Sequence, residues 1–335
     1  MLTNKEYHSF LKEILQNGVE KLPSRKQDVG TIEAFGSTTP MRFDLSKGLP
    51  VVSTKKIWVK GIVEELLWFM RGETNIRSLR AAGVHIWDDN AYEYFHRIRP
   101  NIEPIPKDKF FLCVDLGIPA YGELGRMYGY QWRTKKVVDI NDNIITTDPL
   151  MDVINTLIKT PNSRQIVLDT FSAYDASVSA LPPCHSMPLI LNTVLLTDSE
   201  RKVIAEELTQ ERVYDYNPQL FEDLKIPKYK LNAEMIQRSG DAFLGVPFNI
   251  SSTSLLILIL SKHVNMHPGT FTHVVANAHI YLNHLDQVKE QLTRNEAINS
   301  YFPYEIIENP NSIVPLSINI EYNTFNSTIK AQMVT

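Results

Sequence analysis

Cys184, in the run LPPCHS at 181–186, is the side chain best suited to attack an electron-poor carbon. A thiolate is a far better nucleophile than an alcohol. A lone cysteine is nevertheless more often a small buried apolar residue than a nucleophile. The adjacent His185 adds little, because neighbouring residues of a strand point to opposite faces. These residues alone give a candidate nucleophile, and a cysteine–histidine hydrolase stays open. A second constellation is QRSGDAFLGVPFNISS at 237–252. Arg238 and Ser239 offer a charged fork and a hydroxyl, which suit a phosphate. Gly240 and Gly245 would let the backbone turn tightly. Asn249 both donates and accepts hydrogen bonds, as the edge of a uracil ring requires. The plain alternative is a surface turn with a helix cap at Asn249, and on these residues the two readings stand level.

The elements that must position these groups follow from periodicity. The N-terminal 18 residues read as an amphipathic helix. KGIVEELLWFM at 60–70 places Ile62, Val63, Leu66, Leu67 and Met70 on one helical face. A similar period at 149–159 ends at Pro161. RQIVLDTF at 164–171 is rich in β-branched and aromatic residues and predicts a strand. A second strand is expected over 185–197, with Pro188 better suited to an edge or bulge. FNISSTSLLILILSKHV at 248–264 predicts a helix buried on most sides. FTHVVANAHIY predicts a strand, and NHLDQVKEQLTR a helix with Leu285, Val288 and Leu292 inward. Residues 198–229 are charged and read as an insertion between two strands of one domain spanning 1–335. Alternating strands and helices argue for an α/β (α+β) fold without settling whether the sheet is parallel or mixed.

Bulk properties narrow the function classes. A net charge of −4 supplies no basic field for nucleic acid, so a small anion would be held by local arginines. The two cysteines, Cys113 and Cys184, form no disulfide framework and fit a reducing compartment. The charged N-terminus is unlike a signal peptide, and LLILIL at 255–260 is too short to span a bilayer. A cytoplasmic location is expected, with no membrane or nucleic-acid partner. The nine histidines are dispersed and no CxxC occurs, so no metal is expected.

Seven stretches in order then carry a resemblance. They are MRFDLSKGLPVVSTKK (41–56), EELLWFMRGETNI (64–76), GVHIWDDN (83–90), MYGYQWR (127–133), LPPCH (181–185), QRSGDAFLGVPFNIS (237–251) and AHIYLNHLDQVKEQL (278–292). With them the chain resembles the thymidylate synthase family over nearly its whole length. The resemblance implies a mixed sheet flanked by helices, in a homodimer whose sheets pack face to face. It implies dUMP and 5,10-methylenetetrahydrofolate as substrate and cosubstrate. Cys184 corresponds to the nucleophile that adds to C6 of the pyrimidine. Glu65 matches the glutamate that organises water and proton transfers, Tyr128 the tyrosine associated with proton removal from C5, and His185 a further site residue. Asn249 matches the uracil-recognising amide, and His279 and Tyr281 the pair that binds the deoxyribose. Lys26, Arg238, Ser239 and Arg164 of the partner subunit would hold the phosphate. Asp241 matches the pterin-binding aspartate, Trp87 and the tail ending at Thr335 cover the folate, and Lys55 lies where the folate glutamate tail is held. The plain reading of Lys55 is a solvated lysine in a basic turn.

Several positions depart from the family pattern: Lys26 for arginine, Gln165 for the second of two arginines, Phe171 for tryptophan, Leu189 for glutamine, Thr253 for tyrosine, Ala276-Asn277 for Gly-Asp, and the terminal Thr335. Such changes bear on the outcome, because water reaching the methylene-bridged intermediate would give a hydroxymethyl product in place of a methyl group. The retained core favours methylation, with dUMP hydroxymethylation as the alternative and a non-catalytic nucleotide-binding relative as a remote one.

Overall fold

The computed structural model describes residues 3–23, 29–184, 188–213 and 218–322, so the expected roles of Lys26, His185 and Thr335 fall outside it. From the N-terminus come helix α1 (Thr3–Asn17), strands β1 (Val19–Lys21), β2 (Thr31–Phe35), β3 (Met41–Asp44) and β4 (Leu49–Pro50), and helix α2 (Val59–Met70). A helical stretch follows, with α3 (Arg77–Ala81), α4 (Asp88–Arg97), α5 (Lys107–Asp115) and α6 (Tyr128–Arg133). The hairpin β5 (Lys135–Val138) and β6 (Ile144–Thr147) leads to α7 (Pro149–Lys159), β7 (Val167–Leu168), α8 (Ala173–Val178) and β8 (Leu189–Leu195). Next are α9 (Asp198–Thr209), α10 (Pro218–Asp223), β9 (Tyr229–Asp241), α11 (Gly245–His263), β10 (His267–Tyr281) and α12 (Leu285–Leu292). Three strands close the described chain: β11 (Tyr301–Phe302), β12 (Tyr304–Asn309) and β13 (Ser312–Ile320).

The main sheet runs β1-β2-β10-β9-β8-β7, with β3 also paired to β10. Only β9 and β10 run parallel, so the sheet is mixed, as the resemblance implied. Their register sets Ser239 beside Asn277 and Asp241 beside His279 at the C-terminal ends of the two strands. Burial along β9 alternates: Leu231, Ala233, Met235 and Gln237 face the core, while Asn232, Glu234 and Ile236 are less covered. On that second face the sheet also presents Ile190 and Val194 of β8 and Thr270, Thr272 and Val274 of β10, all exposed or half-buried.

Helix α11 is apolar nearly all round, and Ile250 to Ser261 are buried without a break. Its length and composition would allow a membrane span, yet it is 78% buried inside the protein and serves as a core helix. Helix α2 buries Ile62, Leu66, Leu67 and Met70 as its period predicts, with Val63 half-buried.

Other expectations need correction. The predicted strand at 164–171 reduces to Val167–Leu168. Arg164 and Gln165 are exposed, and the Asp169 carboxylate accepts from the Phe171 N–H at 2.9 Å, turning the chain away. The helix expected from 248 begins at Gly245, because Asp241 Oδ1 accepts from the Phe243 and Leu244 N–H groups at 2.9 and 3.0 Å. Asn249 therefore lies inside the helix and is not its cap. Gly240 makes no turn either. It lies within β9, where an added Cβ would stand 2.9 Å from Val246 Cγ2 and 3.0 Å from Val275 Cγ1. Residues 198–229 hold α9 and α10 around a small cluster of Ala205, Phe221 and Ile226. A capping box between Thr197 and Glu200 starts α9.

Candidate active site

Cys184 precedes β8 in irregular backbone and is tied down from two sides. Its carbonyl accepts from the Arg238 N–H at 3.1 Å, which anchors it to β9. Its own N–H donates to the Tyr128 hydroxyl at 3.2 Å, which anchors it to α6. An Arg238 guanidinium nitrogen stands 3.5 Å from the sulfur. Burial pushes the thiol pKa up from its ordinary value, and the Arg238 charge pulls it back. The thiol thus rests protonated with a cation beside it.

Tyr128 opens α6 and is 2% exposed. Its ring packs 4.5 Å from Phe69 of α2 and 6.4 Å from Trp87. Trp87 Nε1 donates to Glu65 Oε1 at 2.8 Å. Although a little of Glu65 remains exposed, its carboxyl is packed deeply enough that desolvation raises its pKa to about 7. The Trp87 bond favours the charged form but is the weaker influence. A carboxyl poised near neutrality can both give and take a proton. Cys184, Tyr128, Trp87 and Glu65 form one connected wall.

A second cluster comes from the β9–β10 pair. Ser239 Oγ lies 3.4 Å from His279 Nδ1, and the His279 and Tyr281 rings meet edge to face at 5.4 Å. Asn249 Oδ1 accepts from Gln237 Nε2 at 3.1 Å. That same nitrogen donates to the Ser239 carbonyl at 2.9 Å, and Gln237 Oε1 is 2.8 Å from His273 Nε2. Gln237 and His273 were not singled out from the sequence. Their inward positions in alternating strands were the available signal, but alternation alone does not distinguish a relay from a satisfied core.

Asp241 Oδ1 is engaged by the turn into α11, while no hydrogen bond from the described residues reaches its other carboxylate oxygen. That free oxygen suits the N–H groups of a pterin ring. Arg164 stands apart on the exposed loop before β7. Lys55 is not a solvated turn lysine. It is buried, and its ammonium group donates to the Phe243 carbonyl.

Among the described positions that depart from the family pattern, Gln165 is exposed and Phe171 half-buried, while others are packed inside. Leu189 is fully buried in β8, and the Thr253 hydroxyl donates to Met235 Sδ at 3.3 Å. Asn277 Nδ2 donates to Glu33 at 3.2 Å.

Comparison with known proteins agrees with this geometry. The thymidylate synthase family model matches residues 5–334. A thymidylate synthase of Mycoplasma mobile is 39% identical over 292 residues, covering 87% of this chain and 85% of its own. One from Listeria monocytogenes is 34% identical over 313 residues, covering 87% and 86%. Another, from Malacoplasma penetrans, is 34% identical over 315 residues, covering 90% and 93%. With the match running nearly end to end through both clusters of site residues, the chain belongs to the thymidylate synthase family.

Proposed function

We propose that the protein methylates C5 of dUMP, giving dTMP and dihydrofolate from 5,10-methylenetetrahydrofolate. The observation that carries this reading is Cys184 held between Tyr128 and Arg238 on a wall continuous with the neutral-range carboxyl of Glu65. Arg238 and Ser239, with Arg164 of the partner subunit, hold the phosphate. His279 and Tyr281 hold the sugar, and Asn249 reads the base edge. Cys184 adds to C6, which makes C5 carbanion-like. Glu65 steadies the charge and water at the ring, and Tyr128 takes part in removing the C5 proton. The folate, when bound, supplies the one-carbon unit and then the hydride, with Asp241 and Trp87 positioned to hold and cover it. Lys26, His185 and Thr335 belong to the same assignment through the family match. Relatives named thymidylate synthase count against the hydroxymethylase alternative.

The uncovered face of the sheet, with Ile190, Val194, Ile236 and Val274, supports a homodimer packed through that face. A cytoplasmic enzyme fits this chemistry, and residues 198–229 are best read as an insertion in a single domain. The test is Cys184→Ala, which should remove nearly all turnover while dUMP still binds and circular dichroism is unchanged. Substantial residual methylation by the variant would sink the assignment.

A further inference from the structure

Trp87 carries the hydrogen bond to Glu65 and stands at the start of α4. As the N-cap residue it offers no side-chain hydrogen bond to the free N–H groups of the first turn. Arg80 of α3 reaches that end of the helix. Its side chain is 12% exposed and meets carboxylates from two other helices. Toward α5 it forms a fork, with Nε and Nη2 at 2.7 and 3.0 Å from the two oxygens of Asp115. Toward α4, its Nη1 donates to Asp88 Oδ2. Its guanidinium carbon lies over the Phe111 ring, 4.4 Å from the centre. Asp88 needs this partner. Its carboxylate is 15% exposed, and desolvation pushes its pKa up against the pull of the Arg80 charge. His85 Nδ1 approaches the same oxygen at 3.0 Å, while Oδ1 is buried with no hydrogen bond among the described residues. Without Arg80 a charged Asp88 would have to turn out to water or take a proton. Asp88 follows Trp87 directly, and the Trp87 carbonyl accepts from the Ala91 N–H at 3.0 Å. A shift in this first turn therefore carries the indole with it.

We propose that Arg80 is a positioning residue: by clamping Asp88 to Asp115 it seats the first turn of α4 and so holds the Trp87 indole on the Glu65 carboxyl. This rests on the assignment of Glu65 to the charge and water at the pyrimidine. No hydrogen bond among the described residues joins Arg80 to Cys184, Tyr128 or Glu65, so its effect on turnover passes through Trp87. Through the same clamp α5 supports the site without reaching it.

Arg80→Met keeps an apolar stem and removes the fork and the charge. Its kcat should fall about tenfold or more, as small misplacements of reacting groups cause, with the KM for dUMP unchanged. A double-mutant cycle with Trp87→Phe, which keeps an aromatic ring and removes the N–H, separates positioning from general support. In that background Arg80→Met should cost less than about twofold, because the bond it secures is already gone. An equal loss in both backgrounds, or an unchanged kcat in the first, overturns the inference. A second readout needs no turnover. In protein carrying nitrogen-labelled tryptophan, the Trp87 indole N–H signal is identified by its loss in Trp87→Phe and should shift in Arg80→Met. Should Arg80→Met fail to fold, Asp115→Asn carries this test, since that carboxylate is half-exposed. An indole signal that stays in place would overturn the proposal. A wild-type protein that forms no dTMP contradicts the assigned reaction instead, and the clamp is then read from the indole signal alone.

Discussion

Glu65 combines local structure, burial and chemistry in one side chain. Glu65 stands beside the apolar stripe of α2, a position where a carboxyl is partly desolvated. The Trp87 partner was not legible, because it arrives from 22 residues further along the chain. Burial raises the Glu65 pKa from 4.5 to about 7. The folded state thus holds a proton that the unfolded chain releases between those values, so stability falls as pH rises through that window and levels off above it. The full shift corresponds to about 3 kcal/mol as an upper bound. Glu65→Gln keeps an acceptor for Trp87 and removes the titration. Urea unfolding should show wild type losing stability relative to this variant from pH 4.5 to about 7. Parallel curves for the two proteins would mean that Glu65 is not desolvated. Lys55 shows the limit of reading one residue from sequence. A lysine in a KK pair looks solvated, and only the tertiary fold turns it inward.

At the scale of elements, the periodic segments were legible and the irregular ones were not. Helices α2, α7 and α11 and strand β10 follow their hydrophobic periods, with ends displaced by a few residues. The 164–171 segment was misread because its β-branched residues outweighed the Asp169 turn, a local side-chain bond that competes with the ladder. Cys184 depends on contacts between elements, namely a bond to β9 and one to α6. That dependence makes α6 sensitive to its seating. Gly129 follows Tyr128, and a Cβ there would lie 2.5 Å from the Glu73 carbonyl oxygen, in the turn after α2. Backbone cannot yield as a side-chain tip can. Gly129→Ala should cost about 1–3 kcal/mol by overpacking and lower kcat by moving the Tyr128 hydroxyl off the Cys184 N–H. Thermal unfolding and steady-state kinetics check the pair of effects. An alanine variant with wild-type stability and kcat would contradict this seating of α6.

At the scale of the whole molecule, the seven ordered motifs conveyed the family, and the arrangement of the sheet explains why they must meet. Parallel β9 and β10 bring Ser239, Asp241 and His279 to one end, where the chain before β8 delivers Cys184. Arg164 lies on an exposed loop, which suits its proposed role in the partner subunit's site. Mixed dimers of Cys184→Ala and Arg164→Ala subunits should regain activity, because one of their two sites is intact. Verified subunit exchange without recovery would argue that Arg164 acts within its own chain. One incubation tests the reaction itself most directly. Purified protein, dUMP and 5,10-methylenetetrahydrofolate are followed by absorbance for dihydrofolate and by mass for the nucleotide. dTMP and dihydrofolate should form in equal amounts. A hydroxymethyl nucleotide formed without dihydrofolate, or no nucleotide product at all, would contradict it.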